Sequence, residues 1–325
     1  IIFIHHAHPT DHIVMLLFFL RLGNIVLFLG LIDLDLLVGK FRFLRCDLIF
    51  LHADTSHGVD DLRIQVINLL KKKGILVGLA TGRGPRFVLQ YMASLGLDLA
   101  IVYNGQYIIS REQTLFDNPL SPEDIEGLVN YAQKNKLDLS FGTAAGVSGS
   151  GIMNAGSGQL GYRISRMVPD AWVDAIIFIF NRLVRWVRPQ KKIELPSLFQ
   201  QPVYQMMMIV SEVETKKLAA EFPQLSITRS SPYSVDIISR GMSKLKGIEK
   251  AGEYYGFTTD QVMAFGDSTN DVEMLAGVRF SVAMGNGSKK VKDVASYVTA
   301  SNNEDGIYQA ALHFGLMEEA SDVSE

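Results

Sequence analysis

Gly266-Asp267-Ser268-Thr269-Asn270-Asp271 sets two carboxylates four residues apart, directly after the apolar run 262–265. Open α/β sheets gather their ligands at the carboxyl ends of strands. A turn in that place lets Asp267 and Asp271 converge on one hard cation. Mg²⁺ suits such a seat, because it takes oxygen ligands, few of them carboxylates, and keeps several waters. The same residues also make an ordinary capped helix start, since Asp and Asn favour those positions. The turn alone leaves both readings standing.

Two further groups tip the balance. Thr81-Gly82 closes another apolar run (75–80) and precedes a helix at 85–95. A hydroxyl together with backbone N–H groups at a helix start forms an anion site. Lys244 stands at the start of the helix before the acidic turn, where an ammonium can neutralise a phosphate as a point charge. In this order, the three supply a phosphate clamp and a metal seat.

The elements that must position them alternate. Residues 59–73 carry Leu62, Val66, Ile67, Leu69 and Leu70 on roughly one face, with three lysines at the end, so an amphipathic helix is expected. Gly74 stops it. Strand 75–80, helix 85–95 and strand 99–103 follow, and strand–helix–strand alternation means a parallel sheet with crossover helices. The rhythm returns with helix 242–255, strand 262–265, a helix from 271 to 276, and short strands at 280–283 and 297–299. Between them it breaks. Ser121-Pro122-Glu123-Asp124 is a helix start. Residues 142–161, rich in Gly, Ser and Ala, read as a long loop. Gly149-Ser150-Gly151 within it lacks the third glycine of a dinucleotide fingerprint and reads as a linker. Residues 171–192 mix apolar bulk with arginines and lysines, which suits either a membrane surface or a packed element with snorkelling arginines. Residues 203–211 read as a strand. The whole middle region is expected to be a second domain inserted into the first.

Bulk properties narrow the class. A chain of 325 residues is long for one core, so two domains are expected. A formal net charge of −3 gives no electrostatic reason to bind nucleic acid. With Cys46 as the single cysteine no intrachain disulfide can form, which fits a reducing compartment and a cytoplasmic location. Residues 13–32 are nearly all apolar, broken by Arg21, Gly23 and Asn24. That length can span a bilayer, but a central arginine costs about 2.5–3.5 kcal/mol there. Two short buried strands or a core helix are the alternative to membrane attachment. A basic leader and a small-residue cleavage site are both missing, which argues against a signal peptide. The histidines at 5, 6, 8 and 12 suit either metal binding or, the preferred reading, a solvated end.

Taken together, the chain resembles the haloacid dehalogenase superfamily of phosphatases, in its Cof-type branch with a large α/β cap. The residues that carry the resemblance are Ala80-Thr81-Gly82-Arg83, Tyr103-Asn104-Gly105, Pro232-Tyr233-Ser234-Val235-Asp236-Ile237, Ser243-Lys244, residues 265–275 and Ala283-Met284-Gly285-Asn286-Gly287. They cover about residues 59–110 and 200–315. The resemblance implies that Thr81, Gly82, Arg83, Asn104, Lys244 and Asn270 bind substrate phosphate. It implies that Asp267 holds Mg²⁺ with Ser268, Asn270 and Asp271 around it, and that the inserted domain is a cap that selects substrate.

The family also opens with a buried strand ending in Asp-x-Asp-Gly-Thr. The first Asp attacks phosphorus, and the second acts as acid and then base. Asp33-Leu34-Asp35 keeps both carboxylates, which would also serve the metal, but lacks Gly-Thr and lies early in the chain. Asp47 has the better spacing to Thr81, but Ile49 stands in place of the second acid. Asp33 and Asp35 are the preferred pair, with Asp47 as the alternative nucleophile.

The expected architecture is α/β, a doubly wound parallel-sheet (Rossmann-like) core with an inserted α+β cap. Residues 1–24 form an extension, 25–105 and 232–325 the core, and 106–231 the cap. The expected partner is a small phosphorylated metabolite, such as a sugar phosphate. A catalytically impaired phosphate-ligand binder, attached to a membrane through its N-terminus, is the second reading.

Overall fold

The computed structural model describes residues 21–22, 25–26, 48–51, 61–149, 199–229 and 234–317, with side chains from residue 64 onward. The chain divides into two compact units, residues 1–45 and 46–325. In the first unit, β1 (Arg21–Leu22) and β2 (Ile25–Val26) pair antiparallel, Arg21 with Val26 and Leu22 with Ile25. These two strands fall inside the apolar stretch 13–32, whose other residues lie outside the described ones. Among the described residues no helix is long and apolar enough to cross a membrane.

The second unit opens with β3 (Leu48–Leu51). Next come α1 (Asp61–Lys72), β4 (Leu76–Ala80), α2 (Pro85–Leu95) and β5 (Leu99–Val102), each within two residues of the expected bounds. In α1, Val66, Ile67 and Leu70 are buried, as the apolar spacing requires. Lys71 near its end pairs with Asp98 at 2.7 Å. An antiparallel hairpin, β6 (Tyr107–Ser110) and β7 (Thr114–Asp117), is then added at the edge of β5. The expected boundary after residue 105 is therefore too early: β6 and β7 belong to the large sheet, because their backbone bonds run to β5 and to each other.

The inserted domain contains α3 (Pro122–Asn135), β8 (Leu139–Thr143), β9 (Gly146–Gly149), β10 (Val203–Ile209), α4 (Glu212–Glu221), β11 (Leu225–Arg229) and β12 (Ser234–Ser239). Ser121 caps α3 by accepting from the Asp124 N–H, and Pro122 fills the first turn. Ser211 and Glu214 form a capping box on α4. The five strands pair antiparallel in the order β11-β12-β10-β8-β9. Two expectations are corrected here. Residues 146–149 are a strand paired with β8 rather than loop, since glycine and serine do not prevent backbone pairing on a sheet edge. Residues 234–239 belong to the small sheet rather than the core, because β12 sits between β10 and β11.

The return to the large sheet runs through α5 (Lys244–Tyr255), β13 (Val262–Gly266), a 3₁₀ turn (Thr269–Asp271) and α6 (Val272–Gly277). It ends with β14 (Phe280–Ala283), α7 (Lys289–Val294), β15 (Tyr297–Val298) and α8 (Gly306–His313). The sheet order is β15-β14-β13-β3-β4-β5-β6-β7, with every pair from β15 to β5 parallel. From β3 the chain steps outward through β4 and β5; from β13 it steps the other way. Strand order thus reverses between β3 and β13, and the crevice outside the carboxyl ends there is where such sheets bind ligands.

Both faces of this sheet are covered. Met263 and Phe265 pack with residues of α1, α2 and α8. Val262 and Ala264, on the other face, pack with α5 and α6. Double burial explains why these strands read as unbroken apolar runs. The small sheet differs. Phe141, Met206, Met208, Val235 and Ile237 bury one face against α3 and α4. The two-residue period of a strand then sends Ser140, Gln205 and Asp236 to the opposite face.

Candidate active site

Gly266 ends β13 at the switch point, and the acidic turn follows it. Asp271 is 1% exposed, and it organises the turn. Its Oδ2 accepts from the backbone N–H groups of Asp267 (3.1 Å) and Ser268 (3.0 Å). Its Oδ1 accepts from Lys244 Nζ at 2.6 Å. Gly266 has to be glycine for this packing, because a Cβ there would press on the Asp271 side chain. Asp267 is less buried. Its Oδ1 accepts from Ser268 Oγ (2.7 Å) and its Oδ2 from Asn286 Nδ2 (3.3 Å). Asn270 contributes a buried Oδ1 that has no hydrogen-bond partner among the described residues.

The second group lies at the end of β4. Thr81 is 7% exposed, and each carbonyl of the loop that it opens is bonded. Thr81 O accepts from Asn104 N (3.1 Å) and Arg83 O from Tyr103 N (3.2 Å). Gly82 O accepts from the Gln205 side chain of β10 at 3.2 Å. The Arg83 N–H donates to Thr81 Oγ1 at 3.1 Å, which leaves the threonine's own hydrogen for another acceptor. The Thr81 N–H is given to Ile101 O at 2.8 Å, so the hydroxyl of Thr81 is the donor that the loop holds out ahead of α2, where an anion site would lie.

Asn104 holds this loop to the small sheet. Its Nδ2 donates to Gln205 Oε1 and to Asp236 Oδ2, both at 3.2 Å. It does so from a left-handed conformation (φ 54°), between Tyr103 at φ 52° and Gly105 at φ 99°. A bulky residue at positive φ is strained, and the surroundings fix it. The Tyr103 hydroxyl donates to Thr143 O at 3.0 Å, and the ring fills a slot that a Cβ on Gly84 or Gly142 would close. Burial pushes the Tyr103 phenol well above its ordinary pKa. Gly105 packs against the backbone of Ser243, so the turn touches the residue before Lys244 and ties the two groups together.

The expected residues sort as follows. Thr81, Gly82 and Asn104 form one group; Lys244, Asp267, Ser268 and Asp271 form the other, with Asn270 in the same turn. Arg83 lends its backbone to the loop, while its guanidinium lies over the Phe87 ring at 4.2 Å. Asp271 commits one oxygen to Lys244 and the other to two backbone amides. These bonds anchor the turn that carries Asp267. Asp33, Asp35 and Asp47 lie outside the described residues. For Mg²⁺, the partly exposed carboxylate of Asp267 is a suitable hard-oxygen donor. Among the described residues no group of three or more His, Cys, Asp or Glu gathers into a complete metal site. Gln205 was not legible beforehand: one glutamine in a strand carries no pattern, and its role depends on the small sheet folding over the β4 loop.

Comparison with known proteins places the chain in a family. The family model for haloacid dehalogenase-like hydrolases matches residues 51–310, a span that begins after Asp33, Asp35 and Asp47. YkrA of Bacillus subtilis (strain 168) is 29% identical over 268 residues, covering 81% of this chain and 94% of its own. The 5-amino-6-(5-phospho-D-ribitylamino)uracil phosphatase YcsE of the same organism is 42% identical over 93 residues, 29% of this chain and 37% of its own. The solved structure of the HAD subclass IIB sugar phosphatase BT4131 superposes with a TM-score of 0.64 at 25% identity, covering 83% of this chain and 100% of that one.

Proposed function

Since the chain belongs to the haloacid dehalogenase-like hydrolases, in their Cof-type phosphatase branch, we propose that it hydrolyses a small phosphate monoester with Mg²⁺, through an aspartyl-phosphate intermediate. The observation that carries this reading is the buried Lys244–Asp271 pair holding the Asp267 turn at the switch point of the sheet. Substrate phosphate sits against the Thr81 hydroxyl. Lys244, whose ammonium has three donors and gives one to Asp271, neutralises a phosphoryl oxygen. A Mg²⁺ held by Asp267 supplies further positive charge for the transferring group. One carboxylate attacks phosphorus and the departing alkoxide takes a proton from a second. That second group then activates the water that cleaves the acyl phosphate. Asp33 and Asp35 are the proposed pair; Asp47, the alternative nucleophile expected from spacing, precedes the amino end of β3, while Thr81 and Asp267 follow the carboxyl ends of the parallel strands beside it, so it drops out of the reading. The sugar phosphatase likeness supports a sugar phosphate or similar ester as the substrate.

One observation favours a second reading. Leu51 ends β3, the strand between β13 and β4, and the sequence continues His52-Ala53-Asp54, with one carboxylate where the reaction uses two. On that reading the protein binds phosphorylated ligands and turns them over poorly. Hydrolysis of an aryl phosphate with and without Mg²⁺ separates the two, using wild type, Asp33→Asn, Asp47→Asn and Asp54→Asn. Mg²⁺-dependent turnover abolished by Asp33→Asn supports the first reading as stated. Loss only with Asp47→Asn or Asp54→Asn moves the essential carboxylate. A wild type that binds phosphate without turnover establishes the second reading.

A further inference from the structure

Gln205 lies in the inserted domain, is fully buried (0% exposed), and reaches into the core to bond a main-chain carbonyl of the Thr81 loop. That carbonyl, Gly82 O, belongs to the same peptide unit as the Arg83 N–H. A peptide unit is planar, so fixing its oxygen fixes the direction of its hydrogen. The Arg83 N–H occupies a lone pair of Thr81 Oγ1 at 3.1 Å. A hydroxyl with one lone pair held has its rotation restricted, and its hydrogen is directed to a remaining acceptor. The Gln205 amide is itself oriented, because Asn104 Nδ2 donates to its Oε1 and thereby turns its NH₂ toward Gly82. Asn104 is set in turn by Asp236 Oδ2.

We infer that Gln205 is a positioning residue for the phosphate-binding hydroxyl: through the Gly82–Arg83 peptide it aims the Thr81 O–H at the phosphate. The inserted domain therefore completes the anion site as well as covering it. Three groups from that domain and its contacts (Asp236, Asn104, Gln205) form a hydrogen-bonded series that ends on Thr81. With the domain displaced, Gly82 O loses this partner and the threonine rotor is freed. The loop then binds phosphate weakly until the small sheet docks. This inference rests on the proposed phosphate site and adds a residue to it.

The test is a double-mutant cycle on Gln205→Met and Thr81→Val in the full chain, read by binding of inorganic phosphate in calorimetry. Gln205→Met keeps the side-chain length and removes both hydrogen-bonding groups. It is expected to weaken phosphate binding about 5- to 30-fold in the Thr81 protein. In the Thr81→Val background, where no hydroxyl remains to aim, it should have almost no effect. Equal, additive losses in both backgrounds would overturn the inference while leaving the phosphate site standing. Unchanged phosphate binding in Thr81→Val would overturn the site reading and the inference with it. Gln205→Glu provides a second variant if the methionine protein folds poorly. Its charge repels phosphate in both backgrounds, so only the part of its loss that disappears in Thr81→Val counts for the inference; a wholly additive loss beyond that seen with Gln205→Met would be assigned to the charge.

Discussion

Lys244 Nζ stands 2.6 Å from Asp271 Oδ1, with the two side chains 5% and 1% exposed. A charge pair so enclosed is costly to break from one side, because the remaining ion is left without compensation. Asp271→Ala also removes the acceptor for the Asp267 and Ser268 amides. It should destabilise the protein by about 3–5 kcal/mol, measurable as a shift of the urea midpoint. A midpoint unchanged from wild type would show that the pair does not hold the turn.

Stability should fall as pH rises past 10. Burial, followed by the charge of Asp117, pushes the Tyr204 phenol up from 10.0 to about 12, and burial raises Tyr103 as well. Below pH 10 both phenols keep their protons in folded and unfolded chains alike. Between pH 10 and about 12 the unfolded chain ionises first, so each unit of pH favours unfolding. Melting temperature measured across this window should drop less steeply in Tyr103→Phe. A parallel drop would assign the alkaline loss to other groups.

Gln106 should control how firmly the inserted domain is attached. It is fully buried, donating from Nε2 to Tyr204 O (2.9 Å) and Ser239 Oγ (3.0 Å) and accepting from Asn118 Nδ2 (2.8 Å). Asn118 follows β7 and Ser239 ends β12, so one side chain staples the outgoing and returning linkers. Gln106→Leu strands these partners at about 1–3 kcal/mol for each left buried and unpaired. Faster limited proteolysis at residues 118–121 and 240–242 is the expected result. Unchanged cleavage would mean that the linkers are held elsewhere.

Much of the large sheet was legible in sequence because doubly buried strands and amphipathic crossover helices announce themselves by period. Helix 85–95 and strand 280–283 fall on the bounds read from pattern alone. The acidic turn was legible too, because Gly266, Asp267, Asn270 and Asp271 are adjacent in the chain. The domain boundaries were not: a β-hairpin at a sheet edge (β6–β7) and a strand of the small sheet (β12) have the same local pattern, and only their pairing partners tell them apart. Asp271 shows the same limit within the site. Two carboxylates four apart look equivalent in sequence, yet one is enclosed with Lys244 and the other stays partly open. Gln205 and Asn104 are 101 residues apart, and nothing local to either foretells that they meet.

The central place of β3 also governs how the chain must be assembled as it is made. Leu48 of β3 pairs on one side with Leu76, which is synthesised soon afterwards, and on the other with Val262, which follows the entire inserted domain. Until β13 leaves the ribosome, the nascent large sheet carries an open edge along β3. Open strand edges are templates for wrong pairing, and contacts between distant segments form slowly. The inserted domain, with its own apolar cluster, can collapse during this interval. The vulnerable species in the cell is thus a half-built sheet beside a finished cap, and a helper that shields β3 during translation would protect the protein more than one acting on the released chain.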